Sequence, residues 1–182
     1  MQIPFKIVAD ACVITETNII LIGGHALGVY GYHRGTLDID FLITESDYKK
    51  AKKTICAAGY SEISHTNVAA KLRAKSDALI DIDFIFVDQE TFQKVKQDSK
   101  LHEYIDCSIL VPKPEHLIAM KLHAIRQQPK IRELKDLNDI VELIKSCNIN
   151  AAADEFKSMC LKFGTESLYE KILKYTSGTS NE

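Results

Sequence analysis

The sequence contains no Cys-x-x-Cys pair, no GxxxxGK[ST] phosphate loop, no apolar run of membrane-spanning length, no internal repeat and no dominant charge. The five cysteines, Cys12, Cys56, Cys107, Cys147 and Cys160, are odd in number and lack metal-ligand spacing. That argues against a zinc site and a disulfide framework, and for reduced thiols in a cytoplasmic protein. A formal net charge of -2 is not the basic footprint of an obligate nucleic-acid binder, although a local basic patch stays open. Without a spanning run, no membrane partner is expected. The first stretch, "MQIPFKIVADACVITETN", has acids among its apolar residues and does not read as a signal peptide. What remains is a chain of 182 residues, 46% hydrophobic, suited to one domain or a domain with a small appendage.

Periodicity divides the chain into two textures. Helical spacing runs from Phe5 to about Glu16, with Ile7, Ala11 and Ile14 on one side. Asn18–Ile22 reads as a strand ended by Gly23 and Gly24, "HALGVYGY" as a short helix stopped near Gly31, and Leu37–Ile43 as a second strand. A helix opens at Glu45 or Ser46 and stops at Gly59. Residues 60–75 are ambiguous between a strand pair and a strand with a loop. "ALIDIDFIFV", Ala78–Val87, is a strand, Asp88 starts a helix, and Leu101–Val111 holds one or two short strands. After "PKP" the pattern turns helical: Glu115–Arg126, Glu133–Lys145, Ala151–Lys162 and Glu166–Lys174. The expected fold is α/β (α+β), a small mixed sheet with a C-terminal helical region. The expected divisions are an α/β core over residues 1–112, a helical subdomain packing on it over 113–176, and a frayed tail over 177–182.

Two strands carry acids where a buried strand should not. Side chains alternate faces, so Asp38 and Asp40 point one way while Ile39 and Phe41 point into a core. "IDIDF" repeats the device with Asp81 and Asp83. An isolated Asp-x-Asp strand is more often just a solvated face. Two such strands, one preceded by strand–GlyGly–helix, favour function. If they are neighbours, up to four carboxylates share one edge, and like charges resist ionising together unless a cation sits among them. Hard divalent ions take such oxygen ligands, and two of them can flank an in-line phosphoryl displacement. The glycines suit a plain strand-to-helix turn or a backbone approach to phosphate.

These residues carry a resemblance. Gly23-Gly24, a thirteen-residue gap, Asp38-Ile39-Asp40 and a later strand acid resemble the nucleotidyltransferase superfamily of DNA polymerase β. Within it, "GGHALGVYGYHRGTLDIDFLI" is most similar to the small bacterial group related to AbiEii-type toxins of type IV toxin–antitoxin systems. "VPKPEHLIAMKLHAIRQQPKIRELKDLNDIVELI" resembles that group's later helical motifs, and the likeness spans about Ile19 to Ile144. It implies that Gly23 and Gly24 face nucleotide phosphates, with His25 and Arg34 on the same nucleotide side. It also implies that Asp38 and Asp40 hold Mg²⁺, two ions in the active complex. Asp83 becomes the third metal carboxylate and general base, with Asp81 its rival on the same face. Lys121 becomes a cation for the triphosphate, and Asp136 the acid of the last motif. Two positions depart from the pattern: Gly24 stands where the superfamily often has Ser, and His25 replaces a small residue.

Other features have plain explanations. Lys121 lies among apolar residues, where a lysine commonly snorkels to solvent. Asp139 is expected on a solvated face with Lys135 or Arg132 for company. "KKAKK", Lys49–Lys53, reads as a solvated helix face, and the six histidines show no ligand spacing. The resemblance implies a cytoplasmic, metal-dependent nucleotidyltransferase that moves a nucleoside monophosphate from an NTP to an acceptor hydroxyl on RNA, particularly tRNA, or on protein. A toxin-like role and an antitoxin protein partner come with it. The alternatives are an antibiotic nucleotidyltransferase with an acidic drug pocket, for which Asp81 and Glu115 are weak pointers, and a degenerate member that binds nucleotide or a partner without turnover.

Overall fold

A computed structural model describes residues 4–104 and 107–177. It is a mixed α/β protein whose chain divides into two compact units. The first comprises Met1–Val29 and His33–Lys113, the second Tyr30–Tyr32 and Pro114–Glu182. Ser177 ends the last helix, and the rest of the expected tail lies outside the described residues.

The first unit is built on a seven-stranded sheet. Its strands are β1 (Ile20–Ile22), β2 (Asp38–Ile43), β3 (Tyr60–His65), β4 (Ala69–Ala74), β5 (Asp81–Phe86), β6 (Ser99–Tyr104) and β7 (Cys107–Pro112). They lie in the order β3-β4-β5-β2-β1-β7-β6. β2 and β5 run parallel in register, as do β1 and β7, and the other pairs are antiparallel. Residues 60–75 thus form a hairpin with a bulge between Glu62 and Ser64, where sequence periodicity is lost. β5 begins three residues later than its apolar run suggests, because Leu79 is used in the turn that brings the chain back from β4.

The helices of this unit are α1 (Pro4–Thr15), α2 (Gly23–Val29), α3 (Glu45–Ala57) and α4 (Gln89–Gln97). Thr44 caps α3 by accepting from the Asp47 N–H, and Asp88 caps α4 by accepting from the Thr91 N–H. Ile39, Phe41, Ile82 and Phe84 are fully buried on one face of the sheet, with Phe5 of α1 and Tyr48 of α3. The Phe41 and Phe84 rings stack at 5.8 Å, and the Tyr48 ring lies 5.1 Å from Phe84. α1 turns Phe5, Val8, Ala11 and Cys12 inward, and Ile14 is 69% exposed. The expected Ile7–Ala11–Ile14 face is therefore wrong at its last member: Ile14 is the next-to-last residue of the helix, past the packed face.

The second unit is helical: α5 (Pro114–Gln127), α6 (Pro129–Ser146), α7 (Asp154–Phe163) and α8 (Glu166–Ser177). α6 starts four residues earlier than its periodicity suggests, with Pro129 in the first turn, where a missing N–H costs nothing. Leu117, Leu122, Ile140, Leu143, Cys160 and Ile172 are among its buried residues. Burial pushes the Cys160 thiol up to about 12, which keeps it protonated. Among the described residues no helix is long and apolar enough to cross a membrane.

Candidate active site

The parallel register of β2 and β5 sets Asp38 beside Asp81 and Asp40 beside Asp83. All four carboxylates leave the sheet on the face opposite Phe41 and Phe84. Three of them converge: one oxygen each from Asp38, Asp40 and Asp83 lies within 4.8 Å of the others, and all three residues are half-buried. Asp81 is not in this group. Its Oδ1 accepts the Ala74 N–H at 2.9 Å and its Oδ2 is 4.0 Å from the Arg73 guanidinium. Position along the strand separates the rivals, because Asp81 is paired with the end of β4 while Asp83 is opposite Asp40.

Gly23 explains how Asp40 fits. It is the first residue of α2 and has φ +65°, a left-handed conformation. A Cβ there would sit 1.9 Å from Asp40 Oδ2. Gly24 serves a different contact: its Cβ would lie 3.1 Å from both an Arg34 guanidinium nitrogen and Thr36 Cβ. The two glycines are thus part of the helix rather than its preface, and they let the Arg34–Thr36 loop and Asp40 close on α2.

Thr36 was not singled out in the sequence. Its hydroxyl donates to Asp38 Oδ1 at 2.9 Å, which fixes one carboxylate of the cluster. The signal was its place two residues before Asp38. Lys71 was missed as well. It pairs with Asp83 across β4 and β5, and its Nζ is 2.5 Å from Asp83 Oδ2. The hydrogen bond to Asp83 raises the Lys71 pKa, and the negative charges of Asp83, Asp38 and Asp40 add to it against a desolvation cost. Nothing in the sequence flagged Lys71, since its strand was ambiguous. His25 lies edge-on to Phe5, with ring centroids 5.1 Å apart. Burial lowers its pKa, while Asp38 pulls it up and Arg34 pushes it down.

Asp38 and Asp83 of the cluster open on a cleft of about 200 Å³ that is also lined by Leu37, Ile63, Lys71, Arg73 and Asp81. A larger cleft of about 360 Å³ lies beside Thr44 and Asp88, at the other ends of β2 and β5, and carries none of the predicted site residues. Lys121 and Asp136 are in the helical unit. Lys121 Nζ is 3.0 Å from Asp136 Oδ1 and 2.6 Å from Asp139 Oδ2, and all three side chains are at least nine-tenths buried. This overturns both plain readings: Lys121 does not snorkel to solvent and Asp139 is not on a solvated face. A buried lysine needs counter-charges, and residues 136 and 139 share a helix face that supplies two. The Arg132 guanidinium is 4.0 Å from Asp136 Oδ2.

A carboxylate trio of this kind fits a divalent cation. Carboxylate oxygens are hard donors, three of them are gathered from two adjacent strands, and Thr36 and Gly23 shape the positions of two. The family model "Nucleotidyl transferase AbiEii toxin, Type IV TA system" matches residues 7–179. Comparison with curated protein sequences gave no match. Among solved structures, the antibiotic-resistance factor ANT(2'')-Ia is 12% identical with a TM-score of 0.65, covering 96% of each chain. An antigenic nucleotidyltransferase-like protein from Paracoccidioides brasiliensis is 15% identical with a TM-score of 0.55, covering 94% of this chain and 92% of its own. The lincosamide antibiotic adenylyltransferase LnuA is 16% identical with a TM-score of 0.54, covering 77% of this chain and 94% of its own. At these identities the likeness is one of fold.

Proposed function

The chain belongs to the AbiEii nucleotidyltransferase toxin family of type IV toxin–antitoxin systems, and on that premise we propose that it transfers a nucleoside monophosphate from an NTP to an acceptor hydroxyl on RNA, tRNA above all, or on protein. The observation that carries this reading is the convergence of Asp38, Asp40 and Asp83 within 4.8 Å. Mg²⁺ held by these three would neutralise phosphate charge and acidify the acceptor hydroxyl. Asp38, Asp40 and Asp83 are the metal carboxylates of the proposal, Thr36 orients the first, and Asp83 also takes the acceptor proton. The triphosphate lies on the Gly23–Gly24 side, next to Asp40, with Arg34 and His25 as the nucleotide-side residues that the resemblance implies. The protein's part is to position reactants and present fixed charges, as phosphoryl transfer requires. The resemblance would bring Lys121 and Asp136 to the phosphates, but Lys121 is already paired with Asp136 and Asp139 inside the helical unit, so neither is given a role at the phosphates in this proposal. An antitoxin protein is the partner that family membership suggests.

One observation favours a second reading, a member that binds nucleotide or a partner without turnover: Asp83 is already ion-paired with Lys71. Lys71 is 54% exposed, however, and partly exposed pairs of this kind are worth only about 0.2–1 kcal/mol, so a divalent ion can displace it. An antibiotic-type acceptor has less support, because Asp81 is occupied by the Ala74 N–H and neighboured by Arg73.

The test is thermal stability with each NTP, with and without Mg²⁺, for wild type and Asp40→Ala, followed by labelling of total tRNA and of cell protein with the NTP that binds. A Mg²⁺-dependent rise in Tm lost in the variant, with label on tRNA, is expected; about 100-fold excess over Kd adds roughly 2.7 kcal/mol. Binding without labelling of RNA or protein points to the second reading. No shift with any NTP overturns the nucleotide site.

A further inference from the structure

The register of three neighbouring strands delivers a cation to the acid cluster. Asp40 on β2 lies beside Asp83 on β5, and Asp83 lies opposite Lys71 on β4, so the three form a row across one sheet face. Lys71 Nζ donates to Asp83 Oδ2 at 2.5 Å. The Lys71 side chain is 54% exposed while Asp83 is 16% exposed, so the lysine reaches in from the cleft and has open space to withdraw into. The same cleft holds Arg73 and the exposed apolar side chains Leu37 and Ile63. An ammonium and a divalent ion cannot both sit close to Asp83 without repelling each other.

We propose that Lys71 is a built-in counter-ion that stands in for the metal in the resting enzyme, disfavours a bare divalent cation, and favours the metal–nucleotide complex. The charges set the sign. A bare cation must push Lys71 off Asp83 against like-charge repulsion. A triphosphate carrying one divalent ion is still net negative, so it draws the displaced ammonium to its phosphates. Lys71 therefore raises the cost of metal alone and lowers the cost of metal with nucleotide, which ties metal entry to substrate entry. The inference rests on Asp38, Asp40 and Asp83 holding the metal.

The experiment is Mn²⁺ binding to the intact chain, read from the electron paramagnetic resonance signal of free Mn²⁺, for wild type, Lys71→Met and Lys71→Arg. Each is titrated with MnCl₂ alone and then with ATP, GTP, CTP or UTP added. Removing the charge of a partly exposed pair should tighten bare Mn²⁺ binding by about five-fold and weaken the Mn²⁺–nucleotide complex by a similar factor, with Lys71→Arg close to wild type. Shifts of the same sign in both titrations, or none in either, overturn the counter-ion role while leaving the metal site standing. Absence of Mn²⁺ binding in wild type and Lys71→Met alike overturns the metal site and this inference together. Unchanged far-UV circular dichroism in both variants shows that the fold is kept.

Discussion

Replacing Gly23 with alanine tests whether the first glycine serves Asp40. Two costs follow from the geometry. The backbone at φ +65° is left-handed, which costs a residue with a Cβ roughly 1–2 kcal/mol. The new methyl would start 1.9 Å from Asp40 Oδ2, whereas ordinary contact begins at 3.4 Å, so the carboxylate must retreat by 3.4 − 1.9 = 1.5 Å. Overpacking of that kind typically costs about 1–3 kcal/mol. The sum is about 2–5 kcal/mol, and at roughly 2–4 °C per kcal/mol for a chain of this size Tm should fall by about 4–20 °C. Metal binding should suffer more than stability does, because ligand positions are tolerated only within about 0.2 Å. Gly24→Ala is the control: its Cβ meets Arg34 and Thr36 at 3.1 Å in ordinary helical backbone, and alanine regains about 0.5–1 kcal/mol of helix preference. Circular dichroism melts and Mn²⁺ titration read both variants. A Gly23→Ala protein that melts and binds Mn²⁺ like wild type would refute the argument, as would equal effects at the two glycines.

Two further outcomes are expected. Lys121→Met leaves Asp136 and Asp139 buried without their lysine, so urea denaturation should show a loss of about 3–5 kcal/mol, part of it recovered by adding Asp139→Asn; a loss under about 0.5 kcal/mol would mean the ion cluster is not structural. His25 has a folded pKa below its unfolded value because burial opposes its charge, so the unfolded chain binds the extra proton first. Stability tied to His25 is present above about pH 6.5 and is lost as pH falls through the lower folded pKa. Melting at pH 7.5 and 5.5 should therefore show a smaller acid-induced drop for His25→Gln than for wild type, and equal drops would remove His25 as the cause.

Much of the architecture was legible because it is written in local periodicity. The α/β-to-helical change, the strands at Asp38 and Asp81, and the α3 and α4 starts follow from alternation, helical spacing and side-chain caps. Residues 60–75 were not legible, because a bulge between Glu62 and Ser64 breaks the two-residue period that identifies a strand. Ile14 was misplaced because periodicity reports which residues share a helix face and not how far the neighbouring element extends along it.

The sequence by itself determined that Asp38 and Asp40 share a face, that Asp81 and Asp83 share another, and that the chain resembles nucleotidyltransferases. These are properties of a strand or a motif taken alone. Only the tertiary structure decided that β2 and β5 are parallel neighbours in register, so that Asp83 joins the pair and Asp81 is diverted to the Ala74 N–H. It alone revealed Lys71 on Asp83 and Asp139 buried against Lys121. The physical reason is common to both. A carboxylate's environment is set by what the fold brings within hydrogen-bond reach. Asp83 and Lys71 are twelve residues apart and Lys121 and Asp139 eighteen, distances over which the sequence holds no record of contact.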